Sequence, residues 1–96
     1  MTIIGKTINS INKLRAAKNI EILEMQLSIK ANNIFINNSM SGFINRRSKK
    51  YVELFYQIPV KINIQKKGIW VQIIYKTPVS NANSITLRGE NDEQEN

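Results

Sequence analysis

The sequence predicts a small α+β domain, mainly β, in which an N-terminal helix packs on two antiparallel hairpins that form a twisted sheet or a partly open barrel. Three observations predict this fold class. Apolar and polar residues alternate over two long stretches, apolar residues recur at helical spacing near the N-terminus, and 96 residues suffice for one modest core. Residues 1–88 are expected to form the domain, and residues 89–96 a disordered acidic tail.

The first element is a helix predicted over residues 7–18. Four apolar residues recur at spacings of four, three and three, namely Ile4, Ile8, Ile11 and Leu14. Thr7 is the expected N-cap, because its hydroxyl can accept a hydrogen bond from the first turn. A helix with one apolar side and lysines on the other is expected to cover a sheet face. The alternative is a basic amphipathic helix on a membrane surface.

A hairpin is predicted over residues 20–38. Over Leu23–Ala31 apolar residues alternate with polar ones, which is typical of a half-buried strand. Asn32-Asn33 is the predicted two-residue turn, because asparagine tolerates a positive φ. The second strand then runs to residue 38 and sets Ile29 opposite Ile36.

The best-defined prediction is a long antiparallel hairpin over residues 51–76. Apolar residues stand at every second position, namely Val52, Leu54, Tyr56, Ile58, Val60, Ile62 and Ile64, then Ile69, Val71, Ile73 and Tyr75. A two-residue turn at Lys67-Gly68 sets Ile64 opposite Val71, and we prefer this register because it pairs apolar residues at every step. The alternative is a bulged loop with a left-handed Gly68, which sets Ile64 opposite Trp70.

Pro59 lies inside the first strand of this long hairpin. Proline has no N–H to donate to a neighbouring strand, so Pro59 is expected at an edge, a bulge or a bend between two sheets. Residues 38–50 form the predicted loop between the hairpins, because they combine Gly42 with polar and charged residues. A short extra strand over residues 85–88 is the last candidate element.

Composition excludes several classes of site. The chain has no cysteine and no histidine, which rules out disulfides, thiolate metal sites and histidine catalysis. No phosphate-binding loop, dinucleotide motif, metal-ligand cluster or nucleophile motif occurs. We therefore expect no enzymatic activity, no cofactor and no metal. Without an apolar run of about eighteen residues or a signal segment, no membrane span is expected, and the expected location is the cytoplasm, or an organelle or virion.

The net charge of +7 is unevenly distributed. Residues 1–88 contain fourteen basic and three acidic residues, a net charge of +11, whereas residues 89–96 carry −4. A basic body with an acidic tail favours a polyanionic partner, because long-range attraction raises the local concentration of such a ligand.

The candidate binding residues are cations that lie near aromatic residues in the predicted hairpin. They are Arg46, Arg47, Lys49, Lys50, Lys61, Lys66 and Lys67, together with Phe55 and Trp70. On the predicted sheet the two rings lie opposite the apolar row, where they could stack on bases while the cations contact phosphates. The alternative is that both rings fill a second core beneath the helix and that the basic run at 46–50 is an ordinary solvated loop.

These observations predict a small basic binding module that most simply binds single-stranded DNA or RNA. The alternative is a protein-interaction protein, such as a phage or mobile-element inhibitor that docks on an acidic protein surface, or a peripheral subunit of a larger assembly. A second copy of the chain is a further candidate partner, since the edge of a long hairpin can pair with another strand.

Overall fold

The computed structural model describes residues 2–38, 44–46 and 51–90. In chain order the elements are α1 (Ile3–Ala16), β1 (Glu21–Leu27), α2 (Ile29–Asn38), β2 (Ile44–Arg46), β3 (Val52–Phe55), β4 (Ile58–Ile62), β5 (Trp70–Thr77) and β6 (Ser80–Arg88). The strands form one sheet in the order β2-β3-β4-β1-β5-β6, which is mixed and not closed. The predicted α+β class, mainly β, is confirmed.

Strand β1 lies at the centre of the sheet, parallel to β4 and antiparallel to β5. Met25 is level with Val60 on one side and with Ile73 on the other, so apolar residues meet across three strands. Both helices contribute buried residues to the same apolar cluster as these strands. The molecule is therefore a two-layer structure, with helices on one face of the sheet.

Helix α1 begins four residues before the predicted start. Thr2, not Thr7, is the N-cap, and its Oγ1 accepts a hydrogen bond from the Gly5 N–H at 3.1 Å. Thr7 is buried instead, and its hydroxyl donates to the Ile3 carbonyl at 2.7 Å. The Lys6 ammonium donates to the Arg88 carbonyl, and the Arg15 guanidinium donates to the Tyr56 carbonyl. These two bonds fix α1 across the sheet, from the end of β6 to the turn before β4.

The hairpin predicted over residues 20–38 is wrong after Leu27, because residues 29–38 form α2. Ser28 ends the strand and caps the helix, since its Oγ accepts a hydrogen bond from the Ala31 N–H at 3.2 Å. Four helix residues are buried, namely Ala31, Asn32, Ile34 and Phe35. This spacing is helical, and it was hidden by the polar asparagines within it.

The long hairpin predicted over residues 51–76 is also wrong. Its first strand reverses at Tyr56 and Gln57, whose φ values are +53° and +68°, as a type I′ turn requires. Strands β3 and β4 therefore pair with each other, and Phe55 is level with Ile58. Strand β1 separates β4 from β5, so the predicted pairing of Ile64 with Val71 does not occur.

Pro59 and Gly68 have simpler roles than predicted. Pro59 is the second residue of β4 and lies opposite Leu54 of β3. The chain does not bend at Pro59 itself but reverses completely just before it, at Tyr56 and Gln57. Gly68 adopts the left-handed conformation, with φ +71°, within the connection from β4 to β5. Because those two strands are not neighbours, this connection crosses the end of β1 instead of closing a hairpin.

Strand β6 is longer than the predicted strand over residues 85–88. It pairs with β5 along its length, with Ile85 level with Ile73 and Leu87 level with Val71. Its first five residues are polar or small, which concealed the strand from a hydrophobicity pattern. Gly89 continues the pairing, since its N–H donates to the Ile69 carbonyl at 2.9 Å. The rest of the predicted acidic tail, from residue 91, lies outside the described residues.

Candidate functional site

The two aromatic residues of the predicted site, Phe55 and Trp70, are in the interior. Phe55 is 1% exposed and packs edge-on against Phe35 at 4.9 Å between ring centroids. Trp70 is 2% exposed, outside the main apolar cluster, and the Lys66 ammonium lies 5.2 Å from its ring centroid. The expectation that both rings would be exposed for stacking is therefore wrong. Both are buried, as the alternative held, but they do not share a second core, because Phe55 belongs to the main apolar cluster and Trp70 does not.

The predicted cations are distributed over different parts of the molecule. Arg47, Lys49 and Lys50 lie outside the described residues, and Arg46 is the last residue of β2. Lys61 is on β4, whereas Lys66 and Lys67 are in the connection between β4 and β5. The structure does not bring Lys61 together with the buried rings on one exposed surface.

The open face of the sheet carries a polar network around β1. The Asn63 amide donates to Gln26 Oε1 at 3.1 Å, and the Gln26 amide donates to Glu24 Oε2 at 2.9 Å. Lys61 Nζ lies 3.3 Å from Glu24 Oε1. The Gln26 hydrogen bond, aided by Lys61, holds the pKa of Glu24 below its ordinary value of 4.5. The Lys61 charge is therefore already neutralised by Glu24, which leaves this network little attraction for a phosphate.

We expect the Glu24 network to stabilise the fold above the ordinary pKa of a glutamate and to lose this contribution as the pH falls. The sign follows from the lowered pKa of Glu24, because the unfolded chain takes up the proton first. Urea unfolding of the wild type and of Glu24→Gln at neutral pH and at about pH 3 measures the effect. The wild type should lose more stability than the variant, and equal losses would contradict this role.

The two helices and their flanking residues carry cations without acids. Residues 2–20 and 28–38 contain five basic residues and no aspartate or glutamate, the cations being Lys6, Lys13, Arg15, Lys18 and Lys30. The four acidic residues within the described ranges are in or beside strands, namely Glu21, Glu24, Glu53 and Glu90. The helical layer is therefore the more positive side of the molecule.

A pocket of about 330 Å³ lies between α2 and the end of β4. It is lined by Ile29, Asn32, Asn33, Ile36, Asn37, Tyr51, Ile62 and Ile64. Three of these residues are among the five large apolar side chains that are exposed in the described parts of the chain, namely Ile29, Tyr51 and Ile64. Exposed apolar groups that gather in one concavity are typical of a binding site.

A second, more polar depression lies at the opposite end of the sheet. Its lining includes Glu21 and Lys76, which form an ion pair at 3.3 Å, together with Pro78. Because these two charges already neutralise each other, this depression offers little attraction for an anion or a cation.

The apolar pocket does not follow from the hydrophobic pattern, because the pocket depends on α2. Ile29, Asn33, Ile36 and Asn37 are spaced as neighbours on one side of a helix, but as a strand they would point to both faces. The sequence places Ile64 in the apolar row of the predicted long hairpin, but β4 ends at Ile62, so Ile64 lies beyond the strand. The only sequence signal for this helical side is the successive spacing of four, three and one residues along Ile29, Asn33, Ile36 and Asn37.

The fold and surface define a small two-layer α+β protein with a basic helical side and an apolar pocket at one end of its sheet. Comparison with known protein families, curated proteins and solved structures found no match to the chain. Within the described ranges, no three acidic, histidine or cysteine residues come together as metal ligands. No helix in those ranges has the length and apolar character needed to cross a membrane.

Proposed function

We propose that this protein is a binding module for single-stranded nucleic acid and that it works without catalysis or a cofactor. The observation that carries this proposal is the acid-free helical layer, in which five cations face no carboxylate of their own segments. Phosphates attract such a surface strongly, because each neutralised phosphate releases a condensed counterion.

Two lysines of the helical layer, Lys13 and Lys30, support this choice of face, because neither has a carboxylate partner among the described residues. Lys61 and Lys76 on the sheet side each have a carboxylate at 3.3 Å. Among the described residues, no carboxylate lies within ion-pair distance of Lys13 or Lys30. An ammonium that already has a carboxylate partner gains less from a phosphate, so the helical lysines offer the stronger interaction.

The basic run at residues 46–50 adds to the same proposal by its place in the sequence. It follows α2 and directly precedes Tyr51 in the chain. Tyr51 lines the pocket beside α2, and the Val52 N–H donates to Asn32 Oδ1 at 3.0 Å. The run therefore leads into residues that pack against the helical layer, and we include Arg46, Arg47, Lys49 and Lys50 among its phosphate-binding groups.

Binding of a labelled oligo(dT) at several salt concentrations tests the proposal. Affinity should fall steeply with salt, and the double variant Lys13→Gln, Lys30→Gln should reduce the slope of log K against log[salt] by about 1.4, or about 0.7 for each lost contact. The double variant Lys61→Gln, Lys76→Gln loses the same charge from the sheet side and should keep the wild-type slope.

Three results would count against this proposal. Absence of binding at low salt would exclude nucleic-acid binding, and equal losses in the two double variants would exclude the helical layer as the binding face. An affinity that does not change with salt concentration would exclude phosphate contacts as the source of binding.

A further inference from the structure

We infer that the pocket between α2 and the end of β4 takes one unstacked nucleobase of a single strand, with the Tyr51 ring as its stacking platform. This inference rests on the proposed nucleic-acid binding and assigns a base site to it. Tyr51 thereby takes the role that sequence analysis gave to Phe55 and Trp70, both of which are buried.

The exposure of apolar side chains locates this site. Ile29 is 51% exposed, Tyr51 47% and Ile64 76%, and all three line the same pocket. Exposed apolar surface has a cost in water, and a flat ring that covers it removes that cost. An aromatic side chain of this kind is the usual platform for an unpaired base.

The pocket is large enough to admit a group the size of one nucleobase. Its volume of about 330 Å³ is at the lower end of the range for ligand pockets, roughly 300–1,000 Å³. A single base enters such a space from a flexible single strand, whereas a base within a duplex remains stacked and paired.

The polar part of the lining is made of amides. Asn33 and Asn37 are one helical turn apart on α2, and both line the pocket. These amides make part of the lining polar without adding a charge to it. The backbone around the pocket is held in place, because Asn32 Oδ1 accepts from the Val52 N–H next to Tyr51.

Charge complementarity supplies the reason why a nucleic acid would occupy this pocket. Lys30 follows the pocket residue Ile29 in the first turn of α2 and is exposed. None of the lining residues is acidic. A base in the pocket would therefore have the exposed Lys30 ammonium available for a neighbouring phosphate.

The test compares oligo(dT) with an abasic oligomer of the same length and charge. The wild type should bind oligo(dT) about 5- to 150-fold more tightly, the factor expected for one stacked base. Tyr51→Ala should remove this preference and leave the salt slope unchanged, because the phosphate contacts remain. Tyr51→Phe should keep the preference, since the ring is retained.

Two further variants distinguish a loss of base binding from a loss of folding. Ile64→Asn changes a side chain that is 76% exposed, so it should fold normally and still weaken the preference for oligo(dT). Val79→Ser removes an apolar side chain that is 95% exposed at the β5–β6 turn, away from the pocket, and should bind as the wild type does.

The outcomes separate this inference from the proposed function. Equal binding of the two oligomers by the wild type, or an unchanged preference in Tyr51→Ala, would overturn the base site and leave salt-dependent binding intact. An acidic peptide that binds with the same dependence on Tyr51 would assign the pocket to a protein partner and overturn the base site. No binding of either oligomer at low salt would overturn both proposals.

Discussion

Replacing Phe35 by alanine is expected to lower the free energy of unfolding by about 3–5 kcal/mol. Phe35 is fully buried in α2, and its ring packs edge-on against Phe55 of β3 at 4.9 Å. The substitution removes this aromatic contact and leaves a cavity between the helix and the sheet. Because domains of this size have only about 5–15 kcal/mol of stability, this loss is a large fraction of the total free energy of unfolding.

Chemical denaturation followed by tryptophan fluorescence measures this loss, since Trp70 is the single tryptophan and is buried. Ile36→Ala is the informative comparison. In the hairpin that the sequence predicts, Ile36 faces the core and Phe35 faces solvent, whereas in α2 Phe35 is buried and Ile36 is half-buried. A larger loss for Ile36→Ala than for Phe35→Ala would contradict the helix.

The hydrophobic pattern predicted the orientation of several strands correctly. Val60 and Ile62 share the apolar face of β4, and Val71 and Ile73 share that of β5, as their alternation predicts. Alternation reports which way a side chain points, because it is a property of the local backbone. It therefore succeeds wherever a segment is a strand, whatever its neighbours are.

The same pattern carried no information about strand partners. Hairpins between neighbouring segments are the shortest connections and are therefore the pairing that the sequence predicts, but β1 lies between β4 and β5. Met25 and Val60 are level although 35 residues separate them in the chain. The reversal at Tyr56-Gln57 was missed because neither residue is a glycine or asparagine, the usual residues of a type I′ turn.

The candidate site was predictable in its charge and not in its shape. The sequence supplies the excess of cations, but only the placement of α1 and α2 on one face makes the helical side the more basic one. Trp70 points away from the apolar row, as predicted, since it precedes the core residue Val71. Its burial beside Lys66 in the β4–β5 connection is a tertiary contact that periodicity cannot predict.

Ser28 is the residue at which the strand prediction and the structure diverge most. Its side chain is fully buried and makes three hydrogen bonds, each to a different segment. Its Oγ accepts from the Ala31 N–H at 3.2 Å and from the Trp70 N–H at 3.1 Å, and it donates to the Gly68 carbonyl at 2.8 Å. In an alternating segment a serine indicates the polar face of a strand, but Ser28 joins the end of β1 to α2, to the β4–β5 connection and to the first residue of β5.

Replacing Ser28 by alanine should therefore lower the free energy of unfolding by about 2–4 kcal/mol. The helix loses its cap, and the buried Trp70 N–H loses its side-chain partner. The matched control is Ser84→Ala, which removes a hydroxyl from an exposed position of β6 and should change stability by at most about 0.5 kcal/mol. Denaturation gives the size of the loss, and hydrogen exchange locates it. The Trp70 amide should exchange faster in Ser28→Ala than in the control, relative to amides at the centre of β1. Equal stability of the two variants would mean that the hydroxyl does not couple α2 to the connection that carries Lys66 and Lys67.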